Sequence, residues 1–414
     1  LLVCTACYPS DRGSSSVAHP PPAGAPAVAL ATIRSNDLAI VGGTVYVAPE
    51  GPAISDGVVV VREGKVTAVG KRGTVDIAGM PIFDAAGATV TSGFQNSHVH
   101  FTEPKWQDAA HLPRNVVEPA LEAMLTRYGF TTVVDTGSLL ANTVALRARI
   151  VAGEMSGPRI LTAGVPLYPP HGVPYYLRGA LPPDVLALLP QPNTPVDAAR
   201  YAADDIAGGA DIVKLFTGSW VERGKVRPMP VDVASAAVAE AHRAGKLVFA
   251  HPSDARGLEV ALQARVDVLA HAVEDTRGLT SALLGRMRDA NMTLIPTLHL
   301  FRDDSNIASI LAEVRDFVAA RGRVVFGTDV GFVPDYDPTD EYLLLERAGI
   351  KPNDILASLT TAPADLFGES ATHGRLAPGM VGDVVVLEGD PMTDVRNFAR
   401  VHAAMRAGRI IYKR

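Results

Sequence analysis

The chain has 414 residues, 47% of them hydrophobic and 20% charged, which implies a packed globular core and excludes a disordered polyelectrolyte. Its formal net charge of -6, with no basic cluster to offset it, argues against a nucleic-acid partner. No apolar run approaches the ~18 residues needed to cross a bilayer. The only cysteines, Cys4 and Cys7, lie in "LLVCTACYPS" at the start. This stretch reads as an apolar tail, as a Cys-x-x-Cys redox pair, or as the end of a signal peptide running into a lipid-modified Cys7. No strand or helix pattern supports the redox pair. Small residues before Cys7, and a Ser-, Pro- and Ala-rich stretch over 8–34, favour an exported chain with a lipid anchor and a tether over 1–35.

From Asn36 to Val90 the texture is short strands and turns: "LAIVGGTVYV", "GVVVVREGKVTAVG" and "MPIFDAAGATV". It returns after Gly374 in "GDVVVLEGDP" and "VHAAMRAGRIIYKR". Two β segments flanking a long middle predict one small β unit built from 36–92 and 373–414.

The middle, 93–372, alternates apolar strand-length runs with Ala- and Leu-rich helical stretches. Eight runs stand out: "ATVTSG", "FTTVVDTG", "RILTAG", "DIVKLFTG", "KLVFAH", "VDVLAH", "TLIPTL" and "RVVFGTD". Continuous apolar strands between helices predict a parallel sheet covered by helices, and eight such units fit an α/β fold of the (β/α)8 TIM-barrel type. A doubly wound open sheet competes with it, but no Gly-rich phosphate loop follows an early strand.

Candidate metal ligands fall at or near the C-terminal ends of these runs. In "GFQNSHVHF", His98 and His100 stand two apart, so a strand presents both on one face. Lys214 lies in the fourth run, His251 ends the fifth, His271 the sixth and Asp329 the eighth. In a barrel these ends converge on one rim, where active sites form.

The same residues resemble the amidohydrolase superfamily: "HVH" at 98–100, Lys214 in "GADIVKLFTG", "FAH" at His251, "LAH" at His271 and "GTD" at Asp329. "ERAGIKPNDILASLTTAPADLFG" and "GRLAPGMVGDVVVLEGDP" resemble its branch of imidazolonepropionase-like and prolidase-like metallohydrolases. The resemblance implies a TIM barrel with a small β-sandwich domain and a pair of divalent ions, with zinc suited to the nitrogen and oxygen ligands. It assigns His98, His100 and Asp329 to one ion, His251 and His271 to the other, and a CO2-carboxylated Lys214 between them. It further implies a metal-bridging hydroxide, Asp329 as catalytic proton shuttle, and hydrolysis of the amide or peptide C–N bond of a small molecule, such as a dipeptide or N-acyl amino acid. Relatives often assemble, so a homo-oligomer is expected as well.

Specificity is expected from the loops after the third and fourth runs. "LYPPHGVPYYLRG" offers His171, Tyr175, Tyr176 and Arg178. The resemblance gives His171 a contact with substrate or reaction intermediate, although relatives commonly read Gly-Gly-His where this chain reads Pro-Pro-His. Tyr176 and Arg178 are candidates for substrate carbonyl and carboxylate groups. "GSWVERGKVRP" adds Trp220, Arg223 and Arg227, with Trp220 a candidate pocket floor. Among the other histidines, His299 after the seventh run is a candidate for approaching the pocket. His242 reads as an exterior helix residue, and His19, His111, His373 and His402 carry no signal. The runner-up activity is a mononuclear cyclic-amide hydrolase or deaminase, against which Lys214 argues. A non-catalytic exported binding protein is a third reading, but no ligand position is missing.

Overall fold

The computed structural model describes residues 36–414. The expected tether, His19 and the anchor candidate Cys7 lie outside the described residues. No helix among the described residues is long and apolar enough to cross a membrane.

Both chain ends build one sheet. Its hydrogen-bonded path runs from Arg409–Lys413 through Val401–Arg406, Val384–Leu387, Thr89–Ser92, Leu38–Val45 and Ile54–Arg62 to Lys65–Lys71, with Ile82–Asp84 paired beside Leu38–Val45. The two ends meet where Val384 to Leu387 pair antiparallel with Ser92 to Thr89. Two of its hairpins turn through two residues of positive φ, Glu63–Gly64 and Ala407–Gly408, as a type I′ turn requires. Successive residues feed different cores: Ile40, Val59 and Val61 pack on one face, while Ala39, Val58 and Val60 pack on the other. Burial on both faces explains why these strands read as unbroken valine runs. Hydrogen bonds join these strands into one eight-stranded sheet, seven on the path and Ile82–Asp84 beside it.

The middle forms parallel ladders. Strands β1 (Phe94–Val99), β2 (Phe130–Asp135) and β3 (Arg159–Thr162) make one. Strands β4 (Ile212–Phe216), β5 (Leu247–His251), β6 (Val268–Ala270) and β7 (Thr293–Ile295) make the other. Isolated parallel bridges link Leu167 to Leu215, Leu294 to Val324 and Val99 to Val330. Helices such as Val231–Arg243, Ala255–Ala264 and Ser281–Asp289 connect them, which gives an α/β arrangement of TIM-barrel type.

Three expectations shift. "ATVTSG" belongs to the terminal sheet, and the first parallel strand is the next segment, Phe94–Val99. That strand buries Gln95, Asn96, Ser97 and His98, so it lacks the apolar signature of its neighbours. "RVVFGTD" holds its place through single bridges at Val324 and Val330 rather than a continuous ladder. "GSWVERGKVRP" is a hairpin of Gly218–Glu222 with Lys225–Pro228, not a loop.

Candidate metal centre

His98, His100, Lys214, His251, His271 and Asp329 gather at the C-terminal ends of the parallel strands. Asp329 Oδ1 lies 3.1 Å from His98 Nε2 and 2.9 Å from His100 Nε2. The His98 and His271 rings are 4.4 Å apart between centroids, and His251 and His271 are 4.7 Å apart. Lys214, His100, His251, His271 and Asp329 line one cavity, and His98 lies fully buried beneath it.

The outer hydrogen bonds fix which ring nitrogen keeps a free lone pair. His100 Nδ1 meets the Gly137 carbonyl at 2.8 Å, and a carbonyl only accepts, so Nδ1 carries a proton, while Nε2 is turned to Asp329 Oδ1 at 2.9 Å. Thr297 donates its hydroxyl to the Pro296 carbonyl at 2.8 Å, so it accepts from His271 Nδ1 at 2.7 Å, which leaves His271 Nε2 bare. Ser253 donates to the Gly218 carbonyl at 3.1 Å and accepts from His251 Nε2 at 3.1 Å, which leaves His251 Nδ1 bare. His98 has both ring nitrogens buried without a hydrogen-bond partner; its contact with Asp329 is close but poorly aligned. Orphaned imidazole nitrogens beside a carboxylate fit a divalent cation, and one ligand atom each from His98, His271 and Asp329 falls within 4.8 Å of the others.

Electrostatics agree with a ligand cluster. Burial, then the Lys214 charge, pushes His98 down to about 3, and burial also drives His251 and His271 well below the usual imidazole range. All three are therefore neutral, as metal ligands must be. Burial opposes protonation of His100 too, but the hydrogen bond and charge of Asp329 hold its pKa up. Burial would raise Asp329, yet His98 and His100 keep it well below the carboxylate range. Burial lowers Lys214 to about 7, against the pull of Asp329, and no carboxylate among the described residues pairs with its amine.

The backbone here is unusual. Ser253, His271, Thr297 and Asp329 all have positive φ without being glycine, a strain that clusters at functional sites. Glycines allow close approach: a Cβ on Gly331 would sit 1.9 Å from the His100 carbonyl oxygen, and one on Gly218 or Gly257 about as close to that of Pro252. Asp254, the N-cap of Ala255–Ala264, accepts from Gly257 N at 2.9 Å and fixes the turn after His251.

Sequence reasoning overlooked the residues that orient the ligands. Asp135, buried at the end of β2, accepts from Ser138, Thr143 and Thr162 hydroxyls at 2.6, 2.9 and 2.8 Å and from Gly137 N at 3.2 Å. It thereby holds the peptide whose carbonyl fixes His100. Asn96 bridges His98 N at 3.2 Å and Thr328 Oγ1 at 2.8 Å, which ties β1 to the segment carrying Asp329. A carboxylate ending "FTTVVD" was the visible signal for Asp135; hydroxyls such as Ser253 and Thr297 gave none.

The cavity above the cluster measures about 500 Å³. Of the four expected substrate-binding residues only Tyr176 lines it, beside Phe332 at 5.8 Å between centroids. Trp220 stands behind Glu274, donating its Nε1 to that carboxylate at 2.7 Å, so it is not the floor. Arg178 donates to the Val221 carbonyl, and His171 is exposed with φ of +52°; neither reaches the cavity. His171 is exposed and does not line the cavity, so the structure does not join it to Asp329 as a second catalytic group. Arg223 lies over Tyr175, and Arg227 is exposed. His299 contacts Arg302 at 2.6 Å in a separate depression, and His242 pairs with Asp267 at 2.8 Å on the outside.

Comparison with known proteins places this geometry. Uncharacterized protein Rv2915c of Mycobacterium tuberculosis is 30% identical over 271 residues, 56% of this chain and 68% of that one. A Xaa-Pro dipeptidase with methionine in its active site shares the fold at a TM-score of 0.78 and 20% identity, over 91% of this chain and 100% of the other. A prolidase complexed with N-methylphosphonate-L-proline does so at 0.77 and 23%, over 91% and 100%. The sequence model of the amidohydrolase family matches residues 89–411. Over so much of its length, the match shows that this chain belongs to the amidohydrolase family and is a hydrolase acting on carbon–nitrogen bonds.

Proposed function

We propose that the chain hydrolyses the amide bond of a small molecule at a centre for a pair of divalent ions. The observation that carries this reading is the convergence of bare nitrogens from His98, His251 and His271, together with the His100 ring, on Asp329 and an unpaired, buried Lys214. In this reading His98, His100 and Asp329 would hold one ion, and His251 and His271 the other; when bound, such ions, zinc foremost, would supply a water of lowered pKa and a polarised carbonyl. Lys214 adds its neutral amine to CO2, loses a proton and becomes an anion with two oxygens; a buried ammonium beside two cations would be strongly disfavoured. Asp329 takes a proton from the attacking water and passes it to the leaving nitrogen. His100 and Asn96 keep Asp329 in place for that transfer. The same reading closes the parallel ladders into a (β/α)8 ring over 93–372, with 36–92 and 373–414 as a separate small unit.

Two solved structures that share the fold are a Xaa-Pro dipeptidase and a prolidase, which supports an amide or peptide bond as the bond cleaved. A single ion is the runner-up, favoured by the compact His98, His271 and Asp329 group. The test combines metal analysis with an amide and dipeptide panel. About two ions per chain, activity lost on chelation, and at least a ~1000-fold fall in kcat for Asp329→Asn and Lys214→Ala are expected. About one ion per chain, with Lys214→Ala still active, would favour the mononuclear centre.

A further inference from the structure

We propose that the cavity takes uncharged amides flanked by apolar groups and excludes substrates that carry a free carboxylate. The inference rests on the amide-hydrolase reading and narrows it away from the expected dipeptides and N-acyl amino acids, which carry the carboxylate it excludes. The walls are Tyr168, Leu177, Leu181, Val185, Leu189 and Phe332, and the volume of about 500 Å³ suits a drug-sized molecule. Leu139 and Phe332 line the mouth while remaining 60% and 48% exposed, so an apolar surface continues outward from the cavity.

The charges decide the selectivity. Apart from the histidines, Lys214 is the one cationic side chain among the lining residues, and it sits in the ligand cluster, where the reacting carbonyl must go. The remaining charged groups of the lining are acidic: Glu103, Glu274 and Asp304, besides Asp329. Nearby cations are occupied elsewhere. Arg178 holds the Val221 carbonyl, Arg302 pairs with Asp335 at 3.0 Å and Asp340 at 2.9 Å, and Lys105 pairs with Glu103 at 3.0 Å. A carboxylate far from the scissile bond would shed its water, find no partner and face like charges. A neutral amide meets no such penalty.

In the reaction the water oxygen bonds to the carbonyl carbon, the C–N bond breaks, and the nitrogen leaves with a proton as an amine.

The test compares N-phenylhexanamide with its 4-carboxyphenyl counterpart. Michaelis constants on the zinc-loaded protein, or calorimetry where an amide is not cleaved, should show the neutral amide binding at least ~100-fold more tightly. Leu181→Arg adds a cation to the wall and should strengthen acid binding about tenfold. Equal or tighter binding of the acid, failure of both to bind, or no gain with Leu181→Arg overturns the inference. Selective binding of an amide that wild-type enzyme leaves intact would instead sink the hydrolase reading and uphold the selectivity.

Discussion

Thr297 carries little signal in the sequence and much in the structure. Its hydroxyl is committed to the Pro296 carbonyl, and this alone decides that His271 presents Nε2 to the centre. Thr297→Val keeps the shape but removes the acceptor, so zinc affinity should fall roughly 10–100-fold in chelator competition. Thr297→Ser should restore it; equal affinity in all three proteins would remove the orienting role. Gly331 makes a second case. Its φ of +97° and the His100 carbonyl leave no room for a methyl group, and His100 N bonds Val330 O at 2.8 Å next door. Gly331→Ala should therefore destabilise by about 3 kcal/mol or more in urea unfolding and loosen the metal site as well. The ligands themselves were legible because imidazoles and a carboxylate at strand ends form a spaced pattern. Ser253, Thr297 and Asn96 were not, because a hydroxyl or amide orients a ring only through three-dimensional placement that no spacing encodes.

Outer helices support the rim that the strands build. Glu313, on Ile307–Ala319, takes Val273 N at 3.0 Å with both oxygens, two residues after His271. Glu341, on Thr339–Arg347, takes His299 N at 2.7 Å, two residues after Thr297, and its other oxygen is buried unpaired. Burial raises both carboxyls to about 8, against an ordinary 4.5. Between those values the folded chain keeps protons that the unfolded chain has released, so their contribution to stability declines as pH rises through the window and levels off above it. Every tenfold difference in proton affinity between the two states is worth roughly 1.4 kcal/mol. Glu313→Gln removes one such titration. Its stability relative to wild type should therefore improve steadily from pH 5 to pH 8 in urea midpoints, and a constant difference would refute the account. Neither glutamate was legible, since a lone Glu in an amphipathic helix reads as solvent-facing. The hairpin at 218–228 was hidden for a related reason: its Arg, Glu and Lys mask a short β alternation. The strand Phe94–Val99 was hidden because its buried side chains are polar.

Pairing of the two chain ends was legible as a whole-molecule feature, because matching β texture brackets a helical middle. Less visible was how the terminal sheet is welded to the parallel ladders. Val384 and Val386 face the small core, while Val385 and Leu387 join the large one with Phe94, Phe130 and Phe326. A run of four apolar residues does not reveal that its alternate members serve different cores. Phe398 closes the seam, 6.0 Å from Phe94 and 5.2 Å from Tyr342 between ring centroids. Arg159 at the start of β3 also holds Glu369 at 2.7 Å. With so much shared apolar surface, the sheet cannot come away without exposing the core under β1. Calorimetry of the metal-loaded protein should accordingly show one cooperative transition, and chelation should lower it as a unit, because an ion bound only by the folded state stabilises everything coupled to it. Phe398→Ala, about 70 residues from the nearest ligand, should cost about 3–5 kcal/mol and shift that same single transition. Two resolved transitions, only one of them sensitive to chelation, would show instead that sheet and metal centre unfold independently, and the seam at Phe398 would then be a contact without a coupling.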